Sequence, residues 1–304
     1  MPPSIPASAT ASRPAGAAGG SGARASTPAR LAVRRLLRHP SVVIGGTLFL
    51  IVVLCAVLAP WLSPYAPFKA NLRAPLDAPG AAHLMGTDRF GRDVLSRVLW
   101  GGRLSLTVGI VSVGIAAACG VTLGLLAGYA GRRIEAVIMR TMDLLQAFPG
   151  ILLALAVIAT LGSSLTNLMI AVGISAIPDY VRITRGAVLG VKEQEFVLAA
   201  RAVGSRDRAI IVRHILPNVT APLAVIATLG IAGAIITGSA LSFLGLGVRP
   251  PTPEWGNMLA EGREFLARAW WVAFFPGLAI MAAVFAVNLL GDGLRDVLDP
   301  RFRS

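Results

Sequence analysis

The chain predicts an all-α polytopic membrane protein with six transmembrane helices, and three observations predict it. Its 304 residues are 55% hydrophobic and only 14% charged, where a soluble domain carries roughly 25% charged residues, and its mean hydropathy is +0.71. The apolar residues gather into uncharged runs of membrane-crossing length. Lys and Arg stand between those runs, with a bias that alternates along the chain. The same distribution argues against nucleic-acid binding, because the net charge of +13 is scattered over loops and not gathered in one soluble domain.

Residues 1–29, rich in Ala, Ser, Pro and Gly, read as a disordered cytoplasmic tail, since such a segment cannot bury enough to order itself. The membrane-spanning body then covers 30–304. Val42 to Ala59 is an uncharged run of 18 residues, ~27 Å long as a helix. Arg30, Arg34, Arg35 and Arg38 precede it, and no Lys or Arg follows until Lys69, which puts the N-terminus in the cytoplasm. A cleaved signal is the rival reading. Against it stand the length of the run, the absence of an A-x-A site and Pro60 just after Ala59.

Residues 60–103 form a long polar loop on the external side. Leu104 to Ala130 is the second run, and its Gly120, Gly124 and Gly128 fall four apart, a spacing that lets another helix approach closely. Arg132, Arg133 and Arg140 mark the return to the cytoplasm. A third span is expected from near Ala136, with Asp143 close to its cytoplasmic end, and a fourth up to Pro178, joined by an external hairpin at Gly162 to Asn167. The loop at 184–218 is cytoplasmic. Val219 to Val248 is the fifth run, 249–269 an external loop, and the sixth run begins at Trp270 and Trp271, a pair suited to the headgroup belt. Both termini are then cytoplasmic. Cys55 and Cys119 lie in separate apolar runs and read as small buried residues.

The most informative stretch is 195–218. Glu195 to Val203 is a run of helix formers broken by Gly204, as a glycine past a helix end commonly does. Ser205 is placed to cap a second short helix, Asp207 sits in its first turn, and Pro217 is expected to stop it. A helix–glycine–helix bracket between two spans suits docking on a cytoplasmic partner, with an ordinary solvated loop as the alternative. No enzyme constellation accompanies it. His39, His83 and His214 are scattered, no metal-ligand spacing occurs, and there is no phosphate-binding GxxxxGK[ST]. Asp143, Asp179 and Asp292 all read as lying near span ends, so no mid-membrane charge points to an ion-coupled carrier.

The bracket resembles the loop through which permease subunits of ABC transporters contact their ATPases. Four more segments are similar to the C-type permease of the dipeptide/oligopeptide/nickel uptake family: Met85 to Arg97 (MGTDRFGRDVLSR), Asp143 to Pro149 (DLLQAFP), Leu241 to Gly256 (LSFLGLGVRPPTPEWG) and Gly291 to Pro300 (GDGLRDVLDP). One position departs: Leu198 stands before Ala199 and Ala200, where the wider superfamily often has an acidic residue.

The resemblance implies a six-helix importer bundle in a bacterial inner membrane. It implies a second, non-identical permease as partner, two ATPase subunits that hold ATP and Mg, and an extracytoplasmic binding protein, with no cofactor bound by this chain and no catalytic residue in it. Substrates implied are di- or oligopeptides, with nickel complexes or another small solute as alternatives. Glu195, Ala199, Ala200, Arg201, Gly204, Ser205, Asp207 and Pro217 become candidate ATPase-coupling residues. Asp88, Arg89, Arg92, Asp93 and Trp255 become candidates for the outer gate or binding-protein contact, with an internally salt-bridged turn as the alternative for the charged four. Ser163, Ser164, Asn167, Thr237, Ser239 and Asn288 are candidates for a polar path or for hydrogen bonds between helices. Asp292, Arg295, Asp296 and Asp299 are expected to pair with one another in a tail beneath the bundle.

Overall fold

A computed structural model describes residues 36–298. The predicted tail at 1–29 and Asp299 fall outside the described residues. The described chain is built of helices: α1 (Pro40–Val57), α2 (Ala59–Leu62), α3 (Val94–Tyr129), α4 (Arg132–Gln146), α5 (Gly150–Leu161), α6 (Leu165–Lys192), α7 (Glu195–Ala202), α8 (Asp207–Ile210), a π-helical turn (Ile211–Ile215), α9 (Leu216–Phe243), α10 (Trp255–Gly262), a 3₁₀ turn (Arg263–Phe265) and α11 (Trp271–Leu298).

The frame is α3, 36 residues and ~54 Å long. Asp93 starts it, its carboxylate accepting from the Ser96 amide at 2.8 Å. The predicted glycine stripe makes its seam with α6. A Cβ placed on Gly120, Gly124 or Gly128 would fall against the Cβ of Tyr180, Thr184 or Val188 respectively, so three glycines on one helix receive three side chains on the other at the same spacing. Close backbone approach of this kind holds helices together where lipid removes the hydrophobic drive. Val108, Ala116, Ile158, Leu168, Val172 and Leu241 fill the centre. By contrast α1 is exposed along most of its length, with Ile44, Leu50, Ile51 and Leu54 outward, as suits a lipid-facing helix.

Four helical segments are long and apolar enough to cross a bilayer, α1, α3, the continuous stretch Asp207–Phe243 and α11, and a bent pair would make a fifth. The sequence predicts a third span running on from Ala136. Instead α4 and α5 meet at 90°. Pro149 disfavours a helical Phe148 and has no N–H to give the ladder, and its carbonyl starts α5 by accepting from Leu152 and Leu153. The fourth passage, α6, is 28 residues long but carries Asp179, Arg182, Arg185 and Lys192 in its second half. Asp179 therefore lies in mid-helix. The predicted hairpin is present: Ser164 caps α6, and the Asn167 amide donates to the Leu161 and Gly162 carbonyls.

Two ends result. One carries α7, α8 and the π turn; the start of α1 and the end of α11 lie there as well, where Val42 meets Gly293 and Arg295 shares a groove with Asn218. The other carries the folded 60–93 loop and α10. Trp271 belongs to this cap more than to a headgroup belt: it is buried and its Nε1 donates to the Thr87 carbonyl at 3.1 Å, leaving Trp270 as the exposed member of the pair. Asp296 lies 3.8 Å from His39, at the start of α1, and among the described residues Asp292, Arg295 and Asp296 form no salt bridge with one another. Cys119 is exposed, against the reading of both cysteines as buried.

Candidate functional site

The bracket is a built turn and not a loose loop. Gly204 adopts φ +79°, the left-handed region. The Ser205 amide donates to the Ala200 carbonyl at 3.1 Å and the Gly204 amide to the Arg201 carbonyl at 3.0 Å, the paired closure that ends helices on a left-handed residue. No atom stands within 4 Å of a Cβ added at Gly204, so the demand for glycine comes from the backbone and not from crowding. Two expectations fail here. Arg206, not Ser205, occupies the N-cap of α8, with no side-chain cap bond. Pro217 does not stop the helix. Its missing N–H and its ring would disturb the preceding turn, and the chain widens into the π turn at Ile211–Ile215 and continues into α9.

Three buried side chains, Val197, Ile210 and Ile215, anchor the bracket to Val188 on α6 and Val219 on α9. Tyr129, at the end of α3, donates its hydroxyl to Asp207, and Arg201 stands 5.8 Å over the Tyr129 ring. Lys192 donates to the Gly128 carbonyl at 3.0 Å. The opposite face is open. Glu195, Ala199, Arg201, Gly204, Asp207 and Pro217 are exposed, Ala200 and Ser205 half-buried, and the apolar Phe196, Leu198 and Val203 stand outward, Val203 at 82%. The outward face thus mixes small, apolar and basic residues on a rigid mount. Tyr129 escaped sequence reasoning, because nothing local marks a partner 78 residues away.

At the other end four of the five predicted contact residues are interior. Asp88, Arg92, Asp93 and Trp255 are each no more than 3% exposed, and only Arg89 is exposed. Asp88 accepts from the Phe90 and Arg92 amides at 2.8 and 3.0 Å and from Arg92 Nε at 2.6 Å. Arg92 and Arg97 both reach Glu261 Oε2, at 2.9 and 3.2 Å, and Arg97 also donates to the Pro251 carbonyl at 3.1 Å. Two carboxylates and two guanidiniums thus neutralise one another inside the cap. Asp93 holds His83 at 2.9 Å. Glu254 caps α10 through the Gly256 and Asn257 amides and accepts from Ser105 of α3, while Trp255 donates to the Val98 carbonyl. The internally paired turn is what the charged residues form, and Trp255 is a clamp between cap and α3.

Between the two ends, α4 is tied to the charged half of α6 by three polar contacts: Gln146 to Asp179 at 2.8 Å, Arg182 to Asp143 at 3.0 Å, and Arg185 to Glu135. Of the polar-path candidates, Thr237 lines a cavity of about 260 Å³ beside Ser175 and Asp179, Ser239 is buried without a hydrogen-bond partner, and Asn288 is exposed.

Residues 120–304 match the family model of the inner membrane component of binding-protein-dependent transport systems, and residues 27–79 match that of the N-terminal TM domain of oligopeptide transport permease C. The chain is 48% identical to the di/tripeptide transport system permease protein DppC of Pseudomonas aeruginosa, over 88% of this chain and 90% of that one. It is 47% identical to a putative peptide transport system permease protein of Brucella abortus, over 91% and 93% of the two chains. With the glutathione transport system permease protein GsiD of Pectobacterium atrosepticum it shares 46% identity over 91% and 93%. Among solved structures it is similar to the inward-facing MetNI methionine ABC transporter, with a TM-score of 0.55 at 16% identity, covering 66% of this chain and 96% of that one.

Proposed function

Because this chain belongs to the inner membrane components of binding-protein-dependent transport systems, as a permease of the peptide-transport type, we propose that it forms half of the pore of an ATP-driven importer of di- or oligopeptides. The observation that carries the mechanism is the rigid bracket, continuous with α9, bonded to the end of α3 and packed on α6. Two ATPase subunits, holding ATP and Mg, dock on its open face from the cytoplasm, and a second permease completes the pore. When the ATPases close, the bracket moves as one piece and shifts three helices together. Helix α3 carries that displacement the length of the bundle to the cap, where Ser105 and Val98 hold α10. The pore then opens outward to a loaded binding protein, and resetting opens it inward. Arg89 and the surface around it meet the binding protein; the buried Asp88, Arg92, Asp93 and Trp255 keep the cap rigid beneath. Relatives named for di/tripeptides and for glutathione support a peptide-like solute.

The test is uptake. In cells stripped of other peptide importers, deleting the chain abolishes uptake of a labelled dipeptide and re-expression restores it, and the purified chain brings ATPase subunits with it. Uptake indifferent to the deletion would overturn the reading.

A further inference from the structure

Asp179 is an ionisable group in the middle of a helix that crosses the bundle. It is exposed, next to Tyr180, which packs on Gly120 of α3. A carboxylate among membrane helices is kept facing a water-filled cavity or a partner charge. Among the described residues it has no ion-pair partner. The adjacent cations are already engaged, Arg182 with Asp143 and Arg185 with Glu135. Its one hydrogen bond comes from the neutral amide of Gln146 at 2.8 Å, which satisfies one oxygen and none of the charge. The side chain lines the cavity of about 260 Å³ together with Ser175, Thr237, Gly150, Gly230 and Gly233. At Gly150 and Gly233 nothing stands within 4 Å of where a Cβ would be. Val113, Ile151, Val172 and Ile226 line much of the rest, and Asp179 is the single charged side chain in the lining.

Resting on the peptide reading above, we infer that Asp179 is a cation-receiving subsite on the translocation path, taking the α-ammonium end of the peptide in transit. An ammonium carries three donors. The Asp179 carboxylate accepts one in a charge-assisted bond, and the hydroxyls of Ser175 and Thr237 are within the same cavity to accept others. The bond to Gln146 holds the carboxylate toward the end of α4 and leaves an oxygen for the passing group. Selection at this point adds to whatever the binding protein selects, because it acts after delivery.

The test uses the assembled complex with its binding protein in proteoliposomes. Import is compared for a dipeptide and its desamino analogue, each at a concentration that saturates the binding protein, so that delivery is equal. Wild type imports the α-amino form faster by about ten-fold, the scale of one lost charge-assisted hydrogen bond. Asp179→Asn, which keeps size and hydrogen bonding, removes that preference while assembly and ATP hydrolysis without peptide persist, and Asp179→Glu retains it. A preference undiminished in Asp179→Asn, or absent in wild type, overturns the inference and leaves the peptide permease standing. No import of either compound by wild type sinks the peptide reading and this inference with it.

Discussion

Gly204 illustrates how a single residue sets the geometry of the bracket. Its φ of +79° in open space means that a side chain there costs strain and meets no clash, at ~1 kcal/mol or more for a β-branched residue. Gly204→Val is therefore expected to lower peptide-stimulated ATP hydrolysis while the protein still inserts. Gly204→Asn, which tolerates the left-handed region better, is expected to fall between it and wild type. Equal activity of all three in reconstituted vesicles would remove the turn from the mechanism. In the cap the logic is electrostatic. Arg97→Met leaves Asp88 and Glu261 sharing one guanidinium where they now share two. Breaking a buried network this way costs about 3 to 5 kcal/mol, read as a lower unfolding temperature of the detergent-solubilised complex. Arg89→Ala, at an exposed position, should stay within about 0.5 kcal/mol. An unaltered midpoint for Arg97→Met would show that the network does not stabilise the cap.

Among the elements, the α3–α6 seam was legible in the sequence. Gly120, Gly124 and Gly128 announce it by spacing alone, and Tyr180, Thr184 and Val188 answer at the same period. Gly124→Leu should overpack that seam by about 1 to 3 kcal/mol and deplete the assembled complex in mild detergent. Gly114→Leu, on the same helix with nothing within 4 Å, serves as the control; equal yields of the two variants would contradict the seam. The helix–glycine–helix bracket was legible too, since glycine after a helical run has one dominant structural use. Its neighbours were not. Pro217 reads locally as a stop, yet the π turn absorbs it because Ile210, Ile215 and Val219 are all buried in one cluster and hold the helix on course. The right angle at Pro149 hid inside an uncharged run, where apolar residues report depth and not direction. The Asp88–Arg92 pair is local and open to a reading as an internal turn, but the tie of Arg92 to Glu261 spans 169 residues, and no local pattern carries a contact of that range.

For the whole molecule, the bracket and the cap stand at opposite ends of one ~54 Å helix, with α1 beginning and α11 ending at the bracket end. The bracket thus shares the end of the bundle where α1 begins, and by the positive-inside rule the arginines before α1 are expected to hold that end in the cytoplasm. Docking of ATPase subunits on the open face of the bracket is the step on which the proposed mechanism turns. Its most direct test is thiol labelling of a single cysteine, Ala202→Cys, in a chain with Cys55 and Cys119 replaced. A membrane-impermeant reagent should leave it untouched in intact cells, modify it in inverted vesicles stripped of ATPase, and modify it several-fold more slowly once the ATPases are restored. Labelling from outside intact cells, or labelling in vesicles that ignores the ATPases, would contradict the account.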